Sequence, residues 1–248
     1  MKKRLLILGM IFTMAVSSAG CGSSSSDNAG KTDQTKQTAD VQDSQKDESS
    51  DSKSDDDKKD TKYKSADEIT MDDLMSHDET PAEDFEFNDG TDEIVIEKYV
   101  GNDPIVVIPD EIDGKKVVGF ESAFTLNNNI VAVKIGNNVQ EVENSAFSGC
   151  KQLKYVVMGD SVKTIGGRMF AQTNLQELVL NDGLQKIGQD DSNNVLAPPS
   201  SNCGMDLKIP ESVTELHVSE FNLIGKSGSY AEQYANEHAD AGVTFTAE

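Results

Sequence analysis

The side chains that could carry out chemistry are few and scattered in this sequence. Its three histidines lack the spacing of metal ligands: His77, His217 and His238. Cys150 and Cys203 each lack a second cysteine at the spacing of a zinc site. The stretch Gly225-Lys226-Ser227 lacks the earlier glycine of a phosphate-binding loop. Carboxylates are abundant but no motif selects a catalytic pair. The sequence therefore predicts no enzyme, no metal site and no cofactor.

The charge of the chain argues against a nucleic-acid partner. The 248 residues carry a formal net charge of −22 at pH 7. Residues 66–248 hold 33 acidic and 11 basic side chains, so the net charge belongs to this part of the chain. Nucleic-acid binding requires Lys and Arg to displace the counterions of phosphates, and aromatic side chains on which bases stack. The sequence has no Trp and only 6% aromatic residues.

The first 20 residues have the features of an export signal. Residues 2–4 are basic, residues 5–16 are apolar and too few to span a membrane, and Ala19 and Gly20 precede Cys21. This arrangement resembles a bacterial lipoprotein signal peptide, which implies that Cys21 becomes the new N-terminus and carries lipid. The alternative is ordinary secretion with a free Cys21. We expect an exported lipoprotein anchored at the bacterial cell surface.

Residues 21–65 have the composition of a linker. After Cys21 they are rich in Ser, Asp, Lys and Gln, with almost nothing apolar to bury, so we expect no packed structure. Fully extended, a segment of this length reaches roughly 150 Å. The acidic run at residues 55–57 lacks the spacing of a calcium loop. The composition predicts a tether between a membrane anchor and a folded module.

A pattern of 23 residues recurs in the rest of the chain. Ser-Ala-Phe at 122–124 and at 145–147 is followed at the same interval by Arg-Met-Phe at 168–170. Between these corners the chain reads apolar-x-apolar, then a turn, then apolar again, which favours short strands over a helix. The shared columns are Ile130, Leu153 and Leu175; Val133, Val156, Leu178 and Leu207; Ile135, Met158, Leu180 and Ile209; Val139, Val162, Leu184 and Val213; and Val142, Ile165, Ile187 and Leu216. One unit cannot bury its own apolar edge, so the pattern predicts a mainly β solenoid of stacked coils with parallel strands.

The repeat resembles the BspA-like, Treponema-type leucine-rich repeats. The stretch AFSGCKQLKYVVMGDSVKTIGGRMF follows the family pattern AFxGCxxLxxIxIPxxVxxIGxxAF at nearly every column. The resemblance extends over about residues 105–248 and implies a right-handed superhelix with adhesion or interaction roles. One unit departs from the pattern, because residues 188–204 make it longer by about seven residues. Function could reside in this insertion.

The two ends of the repeat region have the features of caps. The stretch around Asn88-Asp89-Gly90 predicts a β-hairpin that covers the open edge of the first coil. Ser229 and Glu232 have capping-box spacing, which predicts a final helix followed by a last strand. The predicted organisation is a signal peptide at 1–20, a lipidated linker at 21–65, an N-terminal cap at 66–104, leucine-rich repeats at 105–220 and a C-terminal cap at 221–248.

Residues between the buried columns should form ladders on the solvent side of the strands. The two predicted ladders are Val107, Lys134, Val157, Val179 and Lys208, and Ala132, Tyr155, Glu177 and Asp206. We expect Tyr155, Val157 and Val179 to form an exposed apolar patch flanked by charge, a surface that suits a docking partner. The alternative is that Val and Tyr occur there only because they favour extended backbone.

These features lead to one functional expectation and two alternatives. The expectation is a monomeric, lipid-anchored, non-catalytic module that binds a protein or glycan partner through Lys134, Tyr155, Val157, Glu177, Val179, Asp206 and Lys208. The first alternative is a structural or assembly lipoprotein of the cell envelope without an external ligand. The second is a polysaccharide hydrolase. The fold alone does not decide among these functions.

Overall fold

Pairs of short strands recur along the chain at the interval of the sequence repeat. The structure is a computed structural model that describes residues 65–120, 122–189, 195–198 and 204–248. Its strands are β1 (Phe85–Asp89), β2 (Glu93–Tyr99), β3 (Ile105–Val107), β4 (Glu111–Ile112), β5 (Lys115–Phe120), β6 (Ala132–Lys134), β7 (Glu141–Val142), β8 (Tyr155–Val157), β9 (Thr164–Ile165), β10 (Glu177–Val179), β11 (Lys186–Ile187), β12 (Met205–Lys208), β13 (Glu215–Leu216), β14 (Phe221–Gly225) and β15 (Thr244–Ala247). Its helices are α1 (Met71–Met75) and α2 (Tyr230–Glu237), with 3-10 helical turns at Ala66–Glu68, Ala82–Asp84 and Ala239–Ala241.

Two parallel ladders of strands connect successive coils. β3, β6, β8 and β10 form the first ladder, and β7, β9, β11 and β13 form the second ladder. In the first ladder Val133, Val156 and Leu178 lie opposite one another, which is the register that their shared sequence column predicts. The prediction of a parallel-strand β solenoid with few helices is therefore confirmed.

The predicted apolar columns form the core of the solenoid. All their members are buried except Leu180, which is half-buried. Full burial of an aliphatic side chain contributes about 1.5–3 kcal/mol, so the stacked columns supply the main stabilising free energy. The exception at Leu180 marks a place where the regular stacking of coils changes.

Stacked phenylalanines occupy the corners that the sequence repeat marks. Phe124 and Phe147 have ring centroids 5.4 Å apart, and Phe147 and Phe170 are 6.3 Å apart with an interplanar angle of 7°. All three side chains are fully buried. The repeated Phe is thus one column of the core, where each ring packs on the ring of the next coil.

The turns after β6 and β8 bring the backbones of neighbouring coils close together. A Cβ atom added at Gly159 would lie 2.2 Å from the carbonyl oxygen of Gly136, and one added at Gly136 would lie 2.9 Å from that of Ile108. Because the obstructing atoms are backbone, no side-chain rotation relieves the clash. Glycine at these positions permits the close approach on which stacking depends.

The N-terminal end is covered by the predicted hairpin and by a segment that the sequence pattern did not predict. β1 and β2 pair antiparallel, and β2 then pairs with β5, so the hairpin lies at the edge of the first coil. The hairpin does not cover β3. Thr80 covers the edge of β3 instead. Its N–H donates to the Val107 carbonyl (2.9 Å), and its hydroxyl accepts from the Val107 N–H (3.0 Å).

The C-terminal end closes with the predicted helix and strand. The Ser229 hydroxyl accepts a hydrogen bond from the Glu232 N–H (3.4 Å), which satisfies a free donor at the start of α2. Gly242 then adopts a left-handed conformation (φ 73°) and turns the chain into β15. β15 pairs with β14, and β14 pairs with β12.

We predict that Gly159→Ala lowers the free energy of unfolding by about 1–3 kcal/mol, because the added methyl group meets the Gly136 carbonyl. The matched control is Gly119→Ala in β5, where a Cβ atom would have no neighbour within 4 Å. The control should be nearly neutral. Denaturant unfolding of both variants measures the difference, and equal stabilities would contradict the close approach of neighbouring coils.

Candidate binding groove

A segment of this chain covers the face on which the sequence predicted an exposed apolar patch. Residues 65–80, which we call the N-terminal clasp, lie against the first ladder, and α1 within it starts with a capping box between Thr70 and Asp73. Ile69 and Leu74 are buried in a cluster with Val107, Ala132 and Val157. The clasp is therefore a small second core on the outer face of the sheet.

The prediction of an exposed patch at Tyr155 and Val157 is wrong. Val157 is 8% exposed, Val107 is 7% exposed and Ala132 is fully buried, while Tyr155 is half-buried. Alternation along a strand correctly placed these side chains on the outer face. It could not reveal that another part of the chain covers that face.

Lys154 fastens the clasp to the repeats. Its Nζ donates to the Ala66 carbonyl (3.1 Å) and pairs with Asp67 Oδ1 (2.6 Å). The hydrogen bond and charge of Lys154 lower the pKa of the Asp67 carboxyl. Because this pKa is lower in the folded state, the contact stabilises the clasp above the ordinary Asp range, and the contribution is lost as pH falls through the lowered pKa.

The first ladder ends at β10, whereas the second continues into the next coil. The His217 N–H donates to the Ile187 carbonyl (2.8 Å), as the Gly188 N–H does to that of Ile165 (2.8 Å). β12 instead pairs with β14 and belongs to a separate sheet. The predicted continuation of the ladders from Val179 to Lys208 and from Glu177 to Asp206 is therefore wrong.

The N–H group of Leu180 shows that the first ladder ends at β10. The N–H of Ile135 donates to the Val157 carbonyl (2.9 Å), and the N–H of Met158 donates to the Val179 carbonyl (2.9 Å). Leu180 occupies the same sequence column. Within the part of the chain that the structure describes, its N–H has no hydrogen-bond acceptor. No strand of the described residues pairs with β10 at this position, which also explains why Leu180 is only half-buried.

The repeat unit that residues 188–204 lengthen accounts for the end of the first ladder at β10. Within residues 188–204, Leu196 is fully buried and forms a parallel bridge with Val218 on the side of the second ladder. On the side of the second ladder the neighbouring coils stay in contact. On the side of the first ladder they separate between β10 and β12. Residues 190–194 and 199–203 lie outside the described residues.

The opening is a groove of about 660 Å³ with acidic and apolar walls. Its lining residues are Gln176, Glu177, Leu178, Val179, Leu180, Asp182, Gly204, Met205, Asp206, Lys208, Pro210 and Ile224. Lys208 is already paired with Glu248 (2.8 Å). Among the described residues, no basic side chain pairs with Glu177 or Asp206. The groove therefore presents unneutralised negative charge beside apolar surface.

The predicted binding residues divide into two groups. Glu177, Val179, Asp206 and Lys208 line the groove, and Val179 is 39% exposed. The others lie elsewhere on the first ladder. Lys134 is opposite Val157, and the Tyr155 hydroxyl contacts Gln176 Oε1 at 3.4 Å. The structure thus brings together four of the seven predicted binding residues, while Cys21 lies outside the described residues.

The groove residues that sequence reasoning missed include Asp182, Met205 and Ile224. Met205 and Ile224 belong to strands of the separate C-terminal sheet, so the repeat alignment gave no reason to group them with β10. The available signal was the extra length of residues 188–204, which marked the coil in which the regular pattern breaks.

Cys150 is of a reactive residue type, but its surroundings are those of a core residue. Cys150 is fully buried, its Sγ lies 2.8 Å from the Phe124 carbonyl, and burial raises the pKa of the thiol to about 12. A thiol of this kind is protonated at neutral pH and is a poor nucleophile. In the described residues no cluster of His, Cys, Asp or Glu has the arrangement of a metal site. Cys203 is outside them.

Comparison with known proteins identifies the repeat. Residues 120–195 match the family described as BspA type leucine rich repeat region, in six copies. This part of the chain is therefore a leucine-rich repeat region similar to the BspA type. The crystal structure of a leucine-rich repeat protein from T. pallidum is similar, with 29% sequence identity and a TM-score of 0.49, over 59% of this chain and 71% of that chain.

No curated protein matches the chain. Across the described ranges, none of the helices is both long and apolar enough to cross a membrane.

We predict that Leu74→Ala weakens docking of the N-terminal clasp, because Leu74 is 1% exposed and supplies the centre of its small core. The loss should be about 2–5 kcal/mol in the free energy of docking. Limited proteolysis should then cleave within residues 65–80 much faster. Met75→Ala on the same helix is the control, since Met75 is 54% exposed. Equal protease resistance of the two variants would contradict the docked position of α1.

Proposed function

We propose that this chain is a lipid-anchored, surface-displayed and non-catalytic binding module. In this proposal Cys21 carries the lipid, residues 21–65 space the module from the membrane, and the repeats present a binding surface to a partner outside the cell. The family of the repeat supports a binding or scaffold role. The anchor is supported by the basic, apolar and small residues that precede Cys21.

The observation that carries the proposal is the groove between β10 and β12. A regular solenoid satisfies its backbone groups from coil to coil, and the clasp covers much of the outer face of the first ladder. The groove combines exposed Val179 with the carboxylates of Glu177 and Asp206, which form no ion pair with a described basic side chain. Apolar surface rimmed by charge is the usual composition of a protein-binding site.

The positions of these side chains support a smaller set of binding residues in this proposal. Val157 contributes to the clasp core and not to a free surface, so its role is to hold α1. Glu177, Val179 and Asp206 remain available. The partner class proposed is a protein, because the walls of the groove include the edges of β10 and β12, whose peptide groups need hydrogen-bond partners. Nucleic acid is excluded from the proposal on charge, since the net charge of residues 66–248 would repel phosphates.

In the experiment, bacterial cells display the full chain on their surface. Proteins collected from the surroundings of those cells are then tested for binding to the displayed chain. Wild-type cells should both display the chain and bind the partner. Cys21→Ser should release the chain into the medium and remove binding from the cells. Glu177→Lys with Asp206→Lys should keep display at the wild-type level but lower binding about tenfold or more, because the charge of the groove is reversed.

The controls separate the parts of the proposal. Glu86→Lys with Glu97→Lys changes exposed carboxylates on the hairpin by the same charge and should leave binding unchanged. A chain that is displayed yet binds nothing outside the cell, and that is recovered only with proteins of its own envelope, would replace the binding module with an assembly role. Secretion of the wild-type chain without lipid would refute the anchor.

A further inference from the structure

We propose that the groove between β10 and β12 receives an extended basic peptide, which adds to the sheet as an extra strand. This inference rests on the proposed binding function and specifies the chemistry of the partner. The occupant is a segment of about four residues in β conformation, with Lys or Arg on its outer face and aliphatic side chains on its inner face. The inference follows from the strand edges, from the apolar columns and from the charges.

The edge of β10 offers peptide groups that face the groove. In a parallel ladder, alternate residues of a strand hydrogen bond to the neighbours on its two sides. The Glu177 N–H donates to the Lys154 carbonyl (3.1 Å), and the Val179 carbonyl accepts from the Met158 N–H (2.9 Å), so these two residues face β8. The peptide groups of Leu178 and Leu180 consequently face the groove.

The edge of β12 offers the same pattern from the other wall. The Ile209 N–H donates to the Ile224 carbonyl (2.8 Å), which places Ile209, and by alternation Leu207, toward β14. The peptide groups of Asp206 and Lys208 therefore point the opposite way, into the groove. Among the strands of the described residues, β10 and β12 are each the outermost strand of their sheet.

Two open edges that face one groove are characteristic of β-augmentation. In this mode of recognition the main chain of an extended peptide supplies the hydrogen bonds, and alternate side chains supply the specificity. β10 has three residues and β12 has four, so a partner segment of about four residues, roughly 13 Å long, matches their length. A glycan lacks the regular N–H and C=O alternation that would satisfy such edges.

The side chains of the walls define what the peptide should carry. Leu178 and Leu207 share one inner column, and Leu180 and Ile209 share the next, so inward-facing residues of the peptide should be aliphatic. A peptide bound between β10 and β12 would complete the burial of Leu180, which is half-buried.

The outer positions require positive charge. Glu177 and Asp206 are both exposed and line the groove, one on each wall. Asp206 accepts a hydrogen bond from Asn222 (2.7 Å), which holds the carboxylate in place without neutralising it. A Lys or Arg side chain between two such carboxylates gains charge-assisted hydrogen bonds. Asp182 adds a third carboxylate to the lining.

The test measures binding of synthetic peptides to the purified full chain. The probe is Ser-Lys-Val-Thr-Val-Lys-Ser with blocked ends, in which the Lys and Thr residues share one face and the Val residues the other. It should bind in solution at physiological salt. Replacing both Lys by Glu should abolish binding, and N-methylation of the first Val should weaken it about tenfold or more, because it removes one backbone donor.

Variants of the chain test the backbone hydrogen bonds of the groove and its negative charge separately. Lys208→Pro removes an N–H that faces the groove, and Pro is tolerated on a strand edge, so the fold should persist while affinity falls about tenfold or more. Lys208→Ala loses the same ion pair with Glu248 but keeps the N–H, so Lys208→Pro should bind about tenfold or more weakly than Lys208→Ala. Glu177→Gln with Asp206→Asn should weaken binding by a similar factor, through loss of charge alone.

The outcomes separate this inference from the proposed function. Equal affinity of Lys208→Pro and Lys208→Ala, with matching thermal unfolding, would overturn strand addition. A natural protein partner whose capture survives Lys208→Pro would keep the binding module and reject the groove as its site. Wild-type dimers that Lys208→Pro converts into monomers would assign the groove to a second copy and also overturn the proposal.

Discussion

Each coil of this molecule is stable only because the next coil covers its apolar edge and accepts its backbone hydrogen bonds. A strand of three residues cannot hold its shape alone, and a ring such as that of Phe147 is buried only between Phe124 and Phe170. Stability is therefore a property of neighbouring pairs of coils. The same constraint explains the two ends, where the hairpin, Thr80, α2 and β15 replace the coil that would otherwise follow.

The groove is what results when this constraint is met on one side of a coil and not on the other. The second ladder continues through Ile187 and His217, and Leu196 fills the core beside it. The first ladder stops at β10, because β12 pairs with the C-terminal sheet. A local difference in the length of one unit thus turns an internal interface of the stack into an external one, where the hydrogen bonds between coils become available to a partner.

Sequence reasoning predicted the parts of the fold that depend on periodicity. The columns that begin at Ile130 and Val133 and the start of α2 at Ser229 all follow from residue type and spacing. The clasp was missed because α1 has only five residues, too few for an apolar period to stand out, and its effect on Val157 is a tertiary contact. The break after β10 was missed because alignment assumes that every unit takes its place in the stack, whereas the path of an insertion is not periodic. Four of the predicted site residues nevertheless line the groove, since alternation correctly assigned them to the outer face.

The gap in the first ladder between β10 and β12 can be measured by amide hydrogen exchange at single residues. The amides of Ile135 and Met158 are bonded to the next coil, whereas the equivalent amide of Leu180 has no acceptor within the described residues. We expect slow exchange at Ile135 and Met158, and exchange at Leu180 that is faster by orders of magnitude. Protection of Leu180 equal to that of Met158 would show a continuous ladder and would contradict the groove.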